Sequence, residues 1–201
     1  MQDIQILKNK KIVETVKLAA YVVSIFVAVF LLWKFVASPT VVDGSSMFPT
    51  LSNNERLLVD KISYKIGNPK RFDIIVFEEK NSETGYFIKR VIGLPGETVF
   101  IDKESNVYIN GEIIHDIYGF EDIKNRGVAS GTVTLGDDEY FVLGDNRNNS
   151  EDSRFKDIGN IKRDAIFGRV FIRLTPFNRF GYPDLYRERM ELKKASSSEK
   201  Q

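Results

Sequence analysis

Residues 87–97 read FIKRVIGLPGE and show the strand pattern that recurs along the chain. Four of its first six residues are β-branched or aromatic, as is typical of strands, and the Gly-Leu-Pro-Gly run ends the strand at once. Side chains alternate between the two faces of a strand, so Lys89 shares a face with Phe87 and Val91. An ammonium group on an apolar face loses its hydration, which lowers its pKa and lets the amine accept a proton. The alternative is a lysine that points to solvent at a sheet edge, which is common.

Short runs of the same composition recur along the chain and are separated by turn residues. Besides residues 86–92, the candidate strands are 56–59, 73–77, 97–101, 107–114, 132–135, 140–143 and 166–174. Asn110-Gly111 divides the run 107–114 and is a strong signal for a hairpin turn. We therefore predict a mostly β fold with one main domain.

Three segments differ from this strand pattern. Residues 116–131 carry mixed charge and few apolar side chains, which is typical of a loop, and lie within a smaller β-hairpin insertion predicted at about 100–138. A helical period is found at residues 184–192. Residues 187–201 are polar and rich in serine, so we predict a disordered tail.

Near the N-terminus, residues 18–37 form an apolar stretch in which Lys34 is the only charged residue. At 1.5 Å per residue a helix of about 20 residues is roughly 30 Å long, the thickness of a hydrocarbon core. Trp33 and Lys34 lie near its end, where an aromatic ring and a long basic side chain suit the membrane interface. The stretch is predicted to be a transmembrane anchor.

Basic residues are concentrated before the anchor, at Lys8, Lys10, Lys11 and Lys17, whereas the first one after Lys34 is Arg56. The positive-inside rule therefore places residues 1–17 in the cytoplasm and a domain at 38–186 on the outer side. A cleaved signal peptide is one alternative, although its apolar region is usually shorter and Pro39 suits a protease cleft poorly. A buried helix is another, but apolar residues here occupy every face.

Composition excludes several functions. The 29 basic and 28 acidic residues give a net charge of +1, so no overall field favours nucleic acid. There is no cysteine, which excludes disulfides, thiolate metal sites and a cysteine nucleophile. His115 is the only histidine, so a histidine-rich metal site is impossible and a Ser-His-Asp triad would have to use this residue.

Residues 42–51 read VDGSSMFPTL and contain the candidate nucleophile, Ser46. A Gly-Ser-Ser run with a proline is usually only a turn. Beside a neutral Lys89 amine, however, the Ser46 hydroxyl would have a general base, which is the Ser-Lys form of nucleophilic catalysis and needs no histidine.

A third segment, residues 144–154, reads GDNRNNSEDSR and follows the apolar run 140–143. Almost every side chain in it can form hydrogen bonds. A solvated loop could have this composition, but so many groups that can pair with one another also suit a rigid polar scaffold around a site.

In order, spacing and residue identity, these three segments together resemble the bacterial type I signal peptidase family. The resemblance extends over nearly the whole chain, including the anchor, RFDIIVF at 71–77 and GRV at 168–170. It implies a β-sheet catalytic domain of the signal peptidase type behind one transmembrane helix. The implied activity is that of a membrane-bound serine endopeptidase that removes N-terminal signal peptides from exported preproteins. The endoplasmic-reticulum members carry histidine in place of the lysine, so Lys89 excludes that branch.

The resemblance also implies roles for individual residues. Ser46 would be the nucleophile, Lys89 the general base, and Ser150 the residue that hydrogen-bonds and orients the lysine amine. Four charged residues would hold the loop that carries Ser150, namely Asp145, Arg147, Asp152 and Arg154. No metal or cofactor is implied.

The implied substrates have small residues at positions −3 and −1, which a shallow apolar pocket selects by excluding larger side chains. Val42 and Ile88 would form the wall of that pocket, and the stretch Val42, Asp43 and Gly44 would pair with the extended substrate as an added strand. Ser46 follows Ala37 by nine residues, so we expect it to act close to the lipid bilayer. We expect a Gram-positive bacterial source.

Two positions depart from the family pattern. Some members have a hydroxyl residue two positions before the nucleophile that helps to bind the oxyanion, and here Gly44 stands there, so the Ser46 backbone N–H must serve with another donor. The segment before the IIVF strand usually reads Gly-Asp, and here Phe72 replaces the glycine. We expect the second change to alter local packing without touching the dyad.

Three other functions are compatible with parts of the pattern. A self-cleaving Ser-Lys repressor would need a DNA-binding module, for which residues 1–17 are too short. A non-catalytic, membrane-tethered assembly factor on the same fold would not need Ser46 and Lys89. A protease with His115 as its base would need that residue near a polar cluster, whereas it lies beside the Asn-Gly hairpin.

Overall fold

The computed structural model of the chain describes residues 2–78 and 85–183. The predicted helix at 184–192 and the predicted tail at 187–201 lie outside the described residues. The chain divides into two compact units, Met1–Ser38 and Pro39–Gln201.

The first unit is a single helix, α1 (Gln2–Phe35). Its segment Ile12–Leu31 is long and apolar enough to cross a membrane. An N-terminal candidate membrane span was predicted and is confirmed. This segment overlaps the predicted anchor 18–37 at residues 18–31, and α1 ends at Phe35, just before the first strand begins at Ala37. The bounds 18–37 of the anchor stay a prediction.

The second unit is mostly β, as predicted. Its strands are β1 (Ala37–Val41), β2 (Arg56–Asp60), β3 (Ile74–Glu78), β4 (Tyr86–Gly93), β5 (Thr98–Ile101), β6 (Val107–Ile109), β7 (Glu112–Ile113), β8 (Val133–Thr134), β9 (Glu139–Leu143), β10 (Ile161–Lys162) and β11 (Ile166–Thr175). A short helix, α2 (Ser63–Ile66), follows β2, and 3-10 turns occupy Gly127–Ser130, Arg163–Ala165 and Phe177–Arg179.

Seven strands form the main sheet in the order β1-β2-β11-β3-β4-β9-β10. Strand β4 pairs with β3 along its first half, where Lys89 lies opposite Ile75. On its other side β4 pairs with β9 only from Arg90 onward. The edge of residues 86–89 that faces away from β3 therefore has no partner strand in the described part of the chain.

The remaining four strands form a smaller sheet in the order β7-β6-β5-β8. It includes the predicted Asn-Gly hairpin, with Asn110 and Gly111 both at positive φ between β6 and β7. The two sheets come together at Gly93, where an added Cβ would lie 2.6 Å from Val99 Cγ2 and 2.7 Å from Leu135 Cδ1. The glycine after the predicted strand is thus required by close packing as well as by the turn.

The core consists of three apolar clusters, and two of them form the walls of the site described below. One contains Val42, Met47 and Val76 with Ile88 packed against it, and another contains Ile75 and Val91 with Phe87 packed against it. Each fully buried side chain of this size contributes about 1.5–3 kcal/mol. The strand that carries Lys89 is therefore held from both faces.

Candidate active site

Ser46 and Lys89 meet in the structure. The Nζ atom of Lys89 donates a hydrogen bond to the Oγ atom of Ser46 at 2.9 Å. Lys89 lies in the middle of β4, whereas Ser46 lies in the turn that follows β1. When the amine is neutral, the same separation lets the hydroxyl donate its proton to Nζ.

Lys89 is buried, with 4% of its surface exposed. Burial lowers its pKa to about 8, against the opposing charges of Asp152 and Glu151. Its Nζ also lies 4.8 Å from the centre of the Phe87 ring, as expected for two residues on the same face of a strand. The edge-lysine alternative is therefore wrong for this residue, and an amine with a pKa of about 8 can serve as a base near neutral pH.

Ser150 lies in the same cavity as the dyad. Its hydroxyl donates to Oδ2 of Asp152 at 2.8 Å, and within the described residues it makes no hydrogen bond with Lys89. Because the donated proton leaves the Ser150 lone pairs free, the oxygen can accept from an ammonium at Nζ. The orienting contact with Lys89 stays a prediction.

The Asp152 carboxylate accepts hydrogen bonds from several groups of the loop 144–154. Its carboxylate accepts the Gly144 N–H at 3.0 Å and the Arg154 Nε–H at 2.7 Å, in addition to the Ser150 hydroxyl. Both charged side chains are almost fully buried. A buried carboxylate with this many donors is a rigid support for Ser150.

Arg147 and Arg154 link the loop to itself and to its surroundings. Arg147 donates to the Gly144 carbonyl at 3.0 Å and to the Asp116 carboxylate at 2.6 Å. Arg154 donates to the Arg147 carbonyl at 2.6 Å. The predicted scaffold residues are thus brought together as an interconnected, buried set.

Asp145 forms a further buried ion pair, with Arg90. The guanidinium donates twice to the carboxylate, at 2.8 Å and 2.6 Å, and stacks 3.8 Å from the centre of the Tyr118 ring. Thr50 also donates to Asp145. We did not predict site roles for Arg90 and Thr50, although alternation places Arg90 inside an apolar strand, where a guanidinium needs a carboxylate partner.

The cavity beside the dyad has a volume of about 490 Å³. All four predicted substrate-binding residues line it, namely Val42, Asp43, Gly44 and Ile88. Val76, Tyr86 and Phe87 also line it and were not predicted. Apolar walls next to the Ser46 hydroxyl suit a small apolar side chain of a peptide.

Backbone donors near Ser46 differ in their availability. The Gly44 N–H donates to Oδ1 of Asn53 at 2.9 Å, and Gly44 has a φ of +102°. The Ser46 N–H has no hydrogen-bond acceptor within the described parts of the chain. Asn53, which the sequence analysis missed, therefore fixes the segment before the nucleophile, while the Ser46 N–H remains available to an oxyanion.

Phe72, where the glycine was expected, has a φ of +71°. Its ring lies 4.9 Å from the Tyr118 ring and its carbonyl accepts a hydrogen bond from Arg90. A left-handed conformation costs a non-glycine residue about 1–2 kcal/mol, which the ring contact offsets in part. Phe72 therefore packs beside Arg90, and Lys89 and Ser46 are not among its ring or hydrogen-bond partners in the described residues. The effect of the replaced glycine on packing stays a prediction.

His115 is exposed and follows β7. It does not line the cavity that contains Ser46 and Lys89. A histidine-based mechanism therefore has no support in the structure. Within residues 2–78 and 85–183, no group of three or more His, Asp or Glu side chains is arranged to hold a metal ion.

Comparison with known proteins agrees with this geometry. Residues 13–175 match the family described as signal peptidase, peptidase S26. The chain belongs to the signal peptidase family. It is therefore a peptidase with the mostly β fold of that family, and both predictions are confirmed.

Relatives within the signal peptidase family come from several bacterial groups. The chain is 41% identical to a probable signal peptidase I-2 of Synechocystis sp. over 166 residues, which are 79% of this chain and 73% of that protein. It is 37% identical to signal peptidase I S of Bacillus subtilis over 89% of this chain and 97% of that protein. Signal peptidase IB of Staphylococcus aureus is 34% identical over 83% of this chain and 94% of that protein.

A crystal structure of a signal peptidase I from Enterococcus faecalis is 33% identical, covers 52% of this chain and 97% of its own, and has a TM-score of 0.42. Family membership and the apolar helix α1 together indicate a membrane-anchored signal peptidase.

Proposed function

We propose that the chain removes signal peptides from exported preproteins by acyl-enzyme chemistry at Ser46, with Lys89 as the general base. The observation that carries the proposal is the 2.9 Å hydrogen bond between a buried lysine amine and a serine hydroxyl beside an apolar cavity. Family membership supports the reaction class.

In the first step the neutral Nζ of Lys89 takes the hydroxyl proton of Ser46 while Oγ attacks the carbonyl carbon of the scissile bond. The Ser46 N–H donates to the oxyanion that forms on the carbonyl oxygen. The lysine ammonium then protonates the leaving amine, which breaks the C–N bond and leaves an acyl group on Oγ. In the second half Lys89 takes a proton from water, the hydroxide attacks the ester, and Oγ recovers its proton as the signal peptide leaves.

The cavity supports a preference for small residues at positions −1 and −3. Val42 is fully buried and Ile88 half-buried, so a large substrate side chain would have to displace packed apolar groups. The open edge of residues 86–89 and the segment Val42 to Gly44 both line the cavity. In that segment the Val42 N–H and C=O and the Gly44 N–H are already bonded within the chain, so we propose that the backbone of Asp43 and the open edge of β4 hydrogen-bond an extended peptide. Alternate substrate side chains would then enter the cavity.

Anchoring is proposed in a single-pass arrangement, with the lysine-rich N-terminus in the cytoplasm and the domain that contains Ser46 on the outer face. The charge bias across α1 supports this direction. Residues 1–17, 18–37, 38–186 and 187–201 remain our proposed domain bounds, with the lipid bilayer as a partner. A Gram-positive source is supported by the Bacillus and Staphylococcus relatives, although the Synechocystis relative belongs to another group.

The test is cleavage of a preprotein with Ala-x-Ala at its junction by the detergent-solubilised full chain. We expect Ser46→Ala and Lys89→Ala each to abolish processing, because either change removes a proton donor or acceptor from the first step. Ser52→Ala is a matched control, since it removes a hydroxyl near the same turn that bonds Arg179 outside the cavity. Normal processing by either dyad variant would contradict the mechanism, whereas no processing by the wild type would favour the non-catalytic assembly role.

A further inference from the structure

Residues 116–128, which we call the brace, contact the polar loop 144–154 along most of its length. None of them lines the cavity beside Ser46. The Phe120 N–H donates to the Asp145 carbonyl at 2.8 Å. The Phe120 ring meets the Phe48 ring edge to face, with 5.2 Å between their centres. Phe120 therefore contacts both the polar loop and the segment that carries the nucleophile.

A second attachment is made through one side-chain amide. Oδ1 of Asn148 accepts the Lys124 N–H at 2.9 Å, and Nδ2 of Asn148 donates to the Asp122 carbonyl at 2.8 Å. Both ends of the amide are used, so the middle of the loop, two residues before Ser150, is fixed to the brace.

The far end of the loop is held in the same way. Arg154 donates from Nη1 to the Asn125 carbonyl at 2.9 Å, and the Arg154 carbonyl accepts the Val128 N–H at 2.9 Å. An added Cβ on Gly127 would lie 2.1 Å from that carbonyl oxygen, so the two segments pack without a gap. The beginning, middle and end of the loop are all attached to the brace.

The loop in turn holds the nucleophile. The Asn146 N–H donates to the Ser46 carbonyl at 3.0 Å, and Asn149 Nδ2 donates to Ser45 Oγ at 2.8 Å. The loop has hardly any apolar side chains of its own to bury, so its order depends on such polar contacts. Its contacts to the brace and to Ser46 therefore form one connected network.

We propose that the brace is a positioning element for catalysis and that Phe120 is a positioning residue for Ser46 and Lys89. The proposal rests on the proposed dyad chemistry. Loss of the Phe120 ring removes its contact with Phe48, two residues after Ser46, while the backbone hydrogen bond to Asp145 is kept. The Ser46 segment and the loop hydrogen-bonded to it can then shift together, which misplaces Ser46 relative to Lys89. Misplacement of reacting groups by about 1 Å costs about a hundredfold in rate.

The pH dependence separates this role from a merely structural one. Lys89 faces the Phe87 ring and the Ser46 hydroxyl, and the charged groups that act on it are Asp152 and Glu151, both on the loop. Loosening the loop admits water to the ammonium and weakens both carboxylate interactions. Burial has the larger effect on this pKa, so the pKa rises and the acid limb of the rate profile moves to higher pH.

The experiment measures preprotein cleavage by the detergent-solubilised full chain over a range of pH. We expect Phe120→Ala to lower kcat about ten- to a hundredfold with a KM change below about threefold, and to move the acid limb upward. Phe120→Tyr, which keeps the ring, should restore both. Ile113→Ala is the matched control, because this exposed side chain belongs to the smaller sheet, where Ile113 pairs with Tyr108.

The proposal would be overturned if folded Phe120→Ala had the kcat and the pH profile of the wild type. A variant with a lower melting temperature but unchanged kcat and pH profile would show that Phe120 has a structural role only. If Phe120→Ala does not fold, Asn148→Ala makes the same test, since it removes two of the attachments, and an unchanged profile there is equally decisive. Ser46→Ala keeps the two hypotheses apart. An active Ser46→Ala chain contradicts the dyad, whereas an inactive one with a normal Phe120→Ala chain contradicts the brace alone.

Discussion

Replacing Lys89 by methionine should make the chain more stable while it removes the base. The usual pKa of lysine is 10.5, and burial lowers the pKa of Lys89 to about 8. At about 1.4 kcal/mol per pH unit, this difference corresponds to about 3 kcal/mol by which folding is disfavoured while the amine is charged. The lost hydrogen bond to Ser46 offsets about 1 kcal/mol of the gain. The net increase in unfolding free energy at pH 7 is about 2 kcal/mol.

The pH dependence gives this prediction its sign. Below pH 8 the lysine carries its proton in both the folded and the unfolded chain, so its full cost is present. Between pH 8 and 10.5 only the unfolded chain keeps the proton, so the stability of the wild type rises with pH and the advantage of the variant disappears. Urea unfolding of both chains, followed by circular dichroism at pH 7 and 10.5, measures the difference. The reasoning would be refuted if Lys89→Met had a lower unfolding free energy than the wild type at pH 7. It would also be refuted if the difference in unfolding free energy between the two chains were the same at pH 7 and pH 10.5.

Three further outcomes are expected. Raising the pH from 7 to 9 should increase kcat/KM about tenfold as Lys89 loses its proton, and a flat profile contradicts the assignment of Lys89 as the base. Glu151→Gln should move this rise to lower pH, because the charge of Glu151 raises the pKa of Lys89. Gly144→Ala should lower kcat at least about tenfold, because the new Cβ would lie 2.2 Å from the Ser150 hydroxyl oxygen, and wild-type kcat would contradict this close contact. Asp145→Asn should lower the unfolding free energy by about 3–5 kcal/mol, because it leaves a buried guanidinium without its carboxylate, and a loss below about 1 kcal/mol in the same urea assay would contradict it.

Strands with clear composition could be predicted closely. The predicted strand 73–77 is observed as β3 (Ile74–Glu78), and the run around Lys89 as β4 (Tyr86–Gly93). Strand β1 (Ala37–Val41) was missed because Pro39 interrupts its pattern and it follows directly on an apolar helix. Strand β10 has only two residues, too few for any period to be seen.

Site residues could be predicted where a charged side chain lies within an apolar sequence pattern, as Lys89 does in its strand. Contacts made by side chains in loops left no such signal. Asn53 bonds Gly44, and Phe120 contacts Phe48 across the fold, yet each lies in a stretch of ordinary loop composition. Phe120 also falls in the segment 116–131, to which the sequence analysis could assign no role beyond that of a loop.

The hydrogen bond from Asn146 to Ser45 joins residues that are 101 positions apart. Strand β11, near the end of the described chain, lies between β2 and β3 in the main sheet. During synthesis the anchor and the nucleophile emerge first, but the groups that hold Ser46 emerge about 100 residues later, after about 5–20 s at ordinary bacterial elongation rates. Under the proposed mechanism, a half-made chain therefore has its serine but still lacks the loop that positions it.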